Sequence, residues 1–406
     1  MQSIIFVGDH EITGQKTNPI ARQLMRKILI FEPYLSGHRL EYIHHLHEEA
    51  AKTPDSHYYF ALSDRFADRK KDYLWSEADN ITFLYIDNRD ILSLSGKRKI
   101  QRIAGLVGIA SKLSKQYGVN ETFFITLAEY MPWLPLFFRS RASVSGILYS
   151  IYLYDWKSKG FISRTREALT TLSVVPFRKY KHVFLLNDPV AGIYLNKRYN
   201  TQKFHYLPDP YMPLEETAAP DSEEEAFYAE DGKKIFLHFG SMSLRKGTLN
   251  ILQAIGLLSP QELKDCRFVF AGKVNGDIKE VFYTLTEALK NRAPIHVFDA
   301  FCSPSFLASL CEACSVILAP YYNTSFSSGI IGYAANYRKP VAVPHEKLLG
   351  KLVRRYRLGY LLKDNSPQSI ARFIKDTPRF LPIDGSRYVN THSVHDFVRK
   401  TMLFEK

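Results

Sequence analysis

The chain has 406 residues, 46% hydrophobic and 14% aromatic, with a formal net charge of +13. That length suffices for two domains with substantial cores, and that composition excludes a disordered protein. The four cysteines, Cys266, Cys302, Cys311 and Cys314, offer no secreted disulfide framework, and no apolar run approaches the roughly 20 residues of a membrane span.

Residues 1–24 fit poorly with the rest of the chain and read as an extension ahead of a functional start at Met25. No Lys or Arg precedes Lys16, so a signal peptide is not expected and a reducing cytoplasm is. Lys27-Ile28-Leu29-Ile30-Phe31 is an apolar run suited to the first strand of a parallel sheet. Ser36, Gly37 and His38 come after it, then a helix with Leu40, Ile43 and Leu46 at helical spacing, on whose surface His44 and His45 are expected. Ligands of open α/β sheets sit beyond the carboxyl ends of strands, so Ser36, Gly37 and His38 stand where a substrate would be; a plain turn is the alternative.

Residues 58–62 and 81–86 read as further strands, and 91–117 as one long helix with a basic face (Lys97, Arg98, Lys99, Arg102, Lys112, Lys115). That face is expected to be solvated, though it could also rest on an anionic membrane. A strand at 123–126 leads to Glu129, and the aromatic run 131–141 reads as a core helix, with a lipid-facing surface as the alternative. Residues 146–154 read as a strand ending at Asp155, 182–186 as another, and 204–210 close the first half.

Residues 214–231 hold eight acids and no base, whereas 25–211 carry 27 bases against 18 acids and 232–406 carry 25 against 13. Two basic halves thus flank an acidic linker, a balance that favours phosphate-bearing partners.

The second half alternates strand and helix at 234–239, 248–258, 267–271, 278–290, 295–298, 304–313, 315–319, 328–337 and 340–343, the pattern of a parallel sheet covered on both faces. Two of its strand–loop–helix turns attract attention. Gly240-Ser241-Met242-Ser243-Leu244-Arg245-Lys246-Gly247 brings two cations to a helix start, and Ser325-Phe326-Ser327-Ser328-Gly329 brings hydroxyls and a glycine to another. Backbone N–H groups at helix starts suit a phosphate, and the two turns together suit a diphosphate; an ordinary serine N-cap is the alternative for the second. Gly272-Lys273 is a third turn at a strand end. Cys311 and Cys314 have CxxC spacing but no second pair, which favours packing thiols over a metal or redox site.

HFGSMSLRKGTLNILQAI (238–255), FVFAGK (268–273), CSVILAPYYNTSFSSGIIGYAANYRKPVAVP (314–344) and RLGYLL (357–362), in this order and spacing, resemble the nucleotide-sugar domain of family 4 glycosyltransferases. The segment KILIFEPYLSGHRLEYIHHL (27–46) is similar to the first strand–loop–helix of the same fold. The resemblance implies an α/β chain of GT-B type, with two Rossmann-like doubly wound domains facing a central cleft. Their expected bounds are 25–211 on the acceptor side and 232–380 on the nucleotide-sugar side, joined by the linker 212–231. A tail helix in 381–406 would return to the first domain.

The activity implied is transfer of a sugar from a nucleoside-diphosphate sugar to a glycan or lipid-linked acceptor, with retention. Lys246 matches the family lysine and would hold the diphosphate, with Arg245 replacing the usual arginine, whose position is Ser241. Gly240, Ser241, Gly272, Lys273, Ser325, Ser327, Ser328, Gly329 and Tyr333 would line the donor, and Ser36, Gly37, His38, Glu129 and Asp155 the acceptor. Ser325 and Tyr333 stand where the family has two glutamates. Near the end of the 146–154 strand, where the family often has a histidine, Tyr152, Tyr154 and Asp155 stand instead. No Asp-x-Asp pair is evident, so no metal or other cofactor is expected and fixed cations take that duty. A catalytically silent nucleotide-sugar binder is the alternative. Nucleic acid is suggested by charge alone and is not expected as a partner.

Overall fold

The computed structural model describes residues 25–35, 39–72, 74–149, 153, 160–211, 232–325, 328–377 and 380–402. The chain forms two compact units. Of the described residues, one unit holds those from 25 to 208 together with the last helix, Val394–Met402, and the other those between 209 and 393.

The first unit is built on seven parallel strands: β1 (Arg26–Glu32), β2 (Ser56–Ser63), β3 (Ile81–Ile86), β4 (Glu121–Phe124), β5 (Ser143–Leu148), β6 (Tyr180–Leu186) and β7 (Phe204–Leu207), in the spatial order β3-β2-β1-β4-β5-β6-β7. Side chains alternate across a strand, so Leu29 and Phe31 enter one core and Ile28 and Ile30 the other. Ile103, Leu106, Val107 and Ala110 of helix Lys99–Gln116 cover the first face. Leu40, Ile43 and Leu46 of helix Arg39–Ala51 cover the second, joined by Phe397, Val398 and Met402 of the last helix. Burial on both faces is why the strands read as continuous apolar runs.

Three expected elements in this unit differ. The long helix over 91–117 is two helices, Asn88–Ser95 and Lys99–Gln116. Asp87 caps the first through the N–H of Arg89, and Gly96 ends it before Arg98 turns extended. The run 131–141 forms only the four-residue helix Leu134–Phe137: Pro135 falls in its first turn, where it fits a helix start but not the interior of a helix begun at 131, and Phe138 turns extended and ends it. Strand β5 ends at Leu148 rather than 154. His45, expected on the surface, is buried at 3% exposure, its ring edge-on to Phe397.

The second unit has six parallel strands: β8 (Lys234–Phe239), β9 (Cys266–Ala271), β10 (Ile295–Phe298), β11 (Val316–Leu318), β12 (Val341–Pro344) and β13 (Gly359–Leu362), ordered β10-β9-β8-β11-β12-β13. Counted within the unit this is 3-2-1-4-5-6, the doubly wound order, and the first six strands of the other unit repeat it. The order reverses between β8 and β11 here, and between β1 and β4 there. In doubly wound sheets a ligand crevice lies at such a reversal, beyond the carboxyl ends of the strands. Phe236, Phe268, Phe270, Phe282 and Ile251 fill one core of the second unit, each such side chain contributing roughly 1.5–3 kcal/mol by burial.

Candidate functional site

In the second unit, β8 runs into Gly240, whose φ of +90° few L-residues adopt. The chain then forms a single 3-10 turn, Leu244–Lys246, and passes through Gly247 (φ +68°) into helix Thr248–Leu257. A Cβ on Gly272 would lie 2.3 Å from the Gly240 carbonyl oxygen, and one on Gly247 would lie 2.2 Å from that of Pro320. Glycine therefore lets the turns after β8, β9 and β11 touch.

Lys246 is half buried. Its Nζ lies 3.4 Å from the Phe239 carbonyl oxygen and 5.6 Å from the centroid of the Tyr321 ring, so the cation stands at the end of β8 beside the start of the β11 loop. Arg245 is exposed, and its carbonyl accepts the N–H of Tyr322 (3.0 Å), which ties the cationic turn to that loop. Ser241 is exposed and donates to Asn275 Oδ1 (2.9 Å). Lys273, also exposed, lies 3.9 Å from Asp299, which accepts the Val274 N–H and the Tyr283 hydroxyl. Those bonds and the two nearby lysines hold the Asp299 carboxyl below its ordinary range.

Beneath the turn sits His238, 1% exposed on β8. Nδ1–H donates to the Leu318 carbonyl (2.9 Å), which leaves Nε2 to accept from the Thr248 hydroxyl (3.0 Å). Burial, opposed by the Leu318 bond and assisted by the charge of Lys246, lowers its pKa to about 4, so the ring is neutral.

The loop after β11 is arranged differently from the expectation of an open phosphate cradle. Ser325 is fully buried, and its N–H is taken by Asn323 Oδ1 (3.0 Å). Ser328 and Gly329 are half buried, and the helix begins at Ile330 and ends at Asn336. Gly329 has φ −54°, an ordinary helical value, so its conformation does not call for glycine. Tyr333 packs edge-on against Phe239 at the end of β8 and against Tyr211, centroids 5.4 and 5.6 Å away. Ser327 lies outside the described residues.

Of the residues expected on the acceptor side, Ser36, Gly37, His38 and Asp155 lie outside the described residues. Glu129 is described: it follows β4, across the reversal from β1, and pairs with Arg39. Around it stands a cluster that sequence reading missed. Glu32, the last residue of β1, is wholly buried; its carboxylate accepts the Tyr34 N–H (3.1 Å) and the Thr126 hydroxyl, with Arg39 Nε 3.9 Å away. Burial raises its pKa to about 7, against the pull of Arg39 and the two hydrogen bonds. The charges of Glu32 and Glu129 add to burial in raising that of Tyr130, whose buried hydroxyl has no hydrogen-bond partner among the described residues. An acid directly after the apolar run Ile28–Phe31 was the available signal.

Among the described residues no group of three or more His, Cys, Asp or Glu could hold a metal ion, and no helix is long and apolar enough to cross a membrane.

Residues 221–377 match the model of the family described as glycosyl transferases group 1. No curated protein matches the chain in sequence. Among solved structures the chain is similar to a glycosyltransferase from Rickettsia africae ESF-5, at 14% identity and TM-score 0.66 over 94% of this chain and 97% of that one. It is similar to sucrose-phosphate synthase (tll1590) from Thermosynechococcus elongatus, at 14% identity and TM-score 0.64 over 94% and 98%. A third is Anabaena Alr3699/HepE in complex with UDP-glucose, at 15% identity and TM-score 0.64 over 93% and 98%. At such identities the likeness is one of fold: two Rossmann-like parallel α/β domains of GT-B type.

Proposed function

We propose that this protein is a glycosyltransferase that takes a sugar from a nucleoside-diphosphate sugar and passes it, with retention and without a metal, to a glycan or lipid-linked acceptor. The observation that carries the reading is Lys246, held at the sheet reversal of the second unit where the glycine turns after β8, β9 and β11 meet. As the bond from the anomeric carbon to the diphosphate breaks, negative charge gathers on the departing phosphate. A fixed ammonium at that point stabilises it more than it stabilises the bound donor, which is what lowers a barrier. Arg245 and Lys273, both exposed, add positive charge on the neighbouring turns. The match of residues 221–377 to glycosyl transferases group 1 supports the class, and the neighbour solved with UDP-glucose supports the donor type. On the acceptor side, Glu129 and Arg39 at the reversal of the first sheet are the groups suited to orient a hydroxyl.

A silent binder of nucleotide-sugars is the second reading. Ser325 and Tyr333, at the positions where the resemblance puts two glutamates, carry no carboxylate, and the first is buried while the second packs between rings. The test is to incubate the protein with UDP- and GDP-sugars and candidate acceptors, measuring released nucleoside diphosphate and product mass. Release coupled to a mass gain of one sugar is expected; binding without release from any donor would establish the silent reading.

A further inference from the structure

As a nucleotide-sugar site, the second unit takes the diphosphate at the turn that carries Lys246, and the role assigned below to Thr248 rests on that reading. A single 3-10 turn holds its shape poorly on its own: Leu244–Lys246 spans three residues and lies between two extended or left-handed positions, Ser243 and Gly247. Something must fix it relative to the sheet.

The structure shows what does. The Ser243 N–H, just before the turn, donates to the Thr248 hydroxyl (3.2 Å), just after it, so one side chain closes the loop. Thr248 is itself fully buried and donates to His238 Nε2, and His238 Nδ1–H donates to the carbonyl of Leu318, the last residue of β11. Every donor along this line has one acceptor: amide to hydroxyl, hydroxyl to imidazole, imidazole to carbonyl. A neutral ring is required, because a protonated Nε2 could not accept from Thr248, and burial keeps it neutral. The line therefore joins both sides of the sheet reversal, the cationic turn after β8 and the end of β11, through a residue of β8 between them. The pair is also unusual for its place: a histidine inside an apolar parallel strand (Ile235-Phe236-Leu237-His238-Phe239) needs both nitrogens satisfied to be tolerated, and here both are.

We propose that Thr248, backed by His238, is a positioning residue for donor binding: its hydroxyl sets the Ser243–Gly247 backbone so that Lys246 meets the diphosphate. It touches no ligand itself and acts through the turn. Thr248→Val keeps the shape and removes the hydroxyl, leaving the Ser243 N–H and His238 Nε2 without their partner; Thr248→Ser restores it.

The experiment measures affinity for UDP and for GDP by calorimetry on the full chain, with thermal melting of each variant, well below every melting temperature. We expect Thr248→Val to bind the preferred nucleotide at least tenfold more weakly than wild type and Thr248→Ser to recover most of that loss. His238→Asn, whose amide can still reach toward Leu318 but not Thr248, should resemble Thr248→Val. Unchanged affinity in a folded Thr248→Val overturns the proposal. So does a Thr248→Val that fails to fold while Thr248→Ser folds, since the hydroxyl would then serve stability rather than the turn. Wild-type protein that binds neither nucleotide rejects the donor reading instead, which separates the two failures.

Discussion

Glu32 shows how far a residue's chemistry can depart from its neighbours'. Its carboxyl follows the apolar run Ile28–Phe31 at the end of β1, and burial shifts it from 4.5 to about 7. The folded protein therefore binds a proton there that the unfolded chain releases between those values, so this group's contribution to stability falls as pH rises from about 4.5 to 7. His238 and His182, both lowered to about 4, act in the opposite sense, adding stability as pH rises from about 4 to 6.5. A comparison with Glu32→Gln isolates the first effect. Denaturant unfolding of both proteins should show the variant gaining on wild type by about 3 kcal/mol between pH 4 and pH 8, the size implied by the shift. A difference independent of pH would mean that the carboxyl ionises as it would in water. The residue was hidden in the sequence because an apolar run reports the burial of its strand, not which way its final side chain turns. Lys246 and its glycines were legible, since positive-φ turns leave glycine behind and a cation at a strand end has few structural uses.

At the scale of elements, the strands and helices read from sequence between 234 and 343 have ends within two residues of those observed, because each strand is a short apolar run bounded by turn residues. Pro260–Leu263, Lys347–Tyr356, Gly359–Leu362, Pro367–Asp376 and Ser386–Thr391 were not read. β8, β10 and helix Pro304–Ala313 fall on the expected bounds. The misreadings have local causes. Residues 91–117 keep one apolar period across Gly96, but a glycine followed by an extended residue ends the first helix. The serine loop after β11 was expected to offer hydroxyls and N–H groups to a phosphate, yet Ser325 is buried and its N–H is taken by Asn323 Oδ1. Sequence shows which groups can cap an amide, not which will. Gly272 is the element-scale test: φ is +132° and a Cβ would meet the Gly240 carbonyl. Gly272→Ala should cost about 2–3 kcal/mol in denaturant unfolding, from strain and the forced separation of two turns. A cost below about 0.5 kcal/mol would show that these turns do not pack as described.

For the whole molecule, alternation of strand and helix predicted the parallel sheet of the second half, since short right-handed crossovers leave few other arrangements, and the resemblance implied a second doubly wound sheet in the first half. Alternation carries no signal for the return of the chain, which was expected from the family resemblance alone. Val394–Met402 belongs to the first unit, where Phe397 is fully buried against Tyr42, their ring centroids 5.0 Å apart. An amphipathic terminal helix declares an apolar face but not which surface it covers. Phe397→Ala should destabilise the first unit by about 3–4 kcal/mol, the scale of an aromatic lost from a core. Unfolding unchanged from wild type would place the helix elsewhere in solution.

The central claim is that the turn carrying Lys246 holds a diphosphate, and calorimetric titration of wild type and Lys246→Ala with UDP and GDP at low ionic strength tests it most directly. Wild type should bind one of the two, and the variant should bind it weaker by about 1.5–3 kcal/mol, roughly ten- to a hundredfold. Equal affinity in the two proteins would contradict the account.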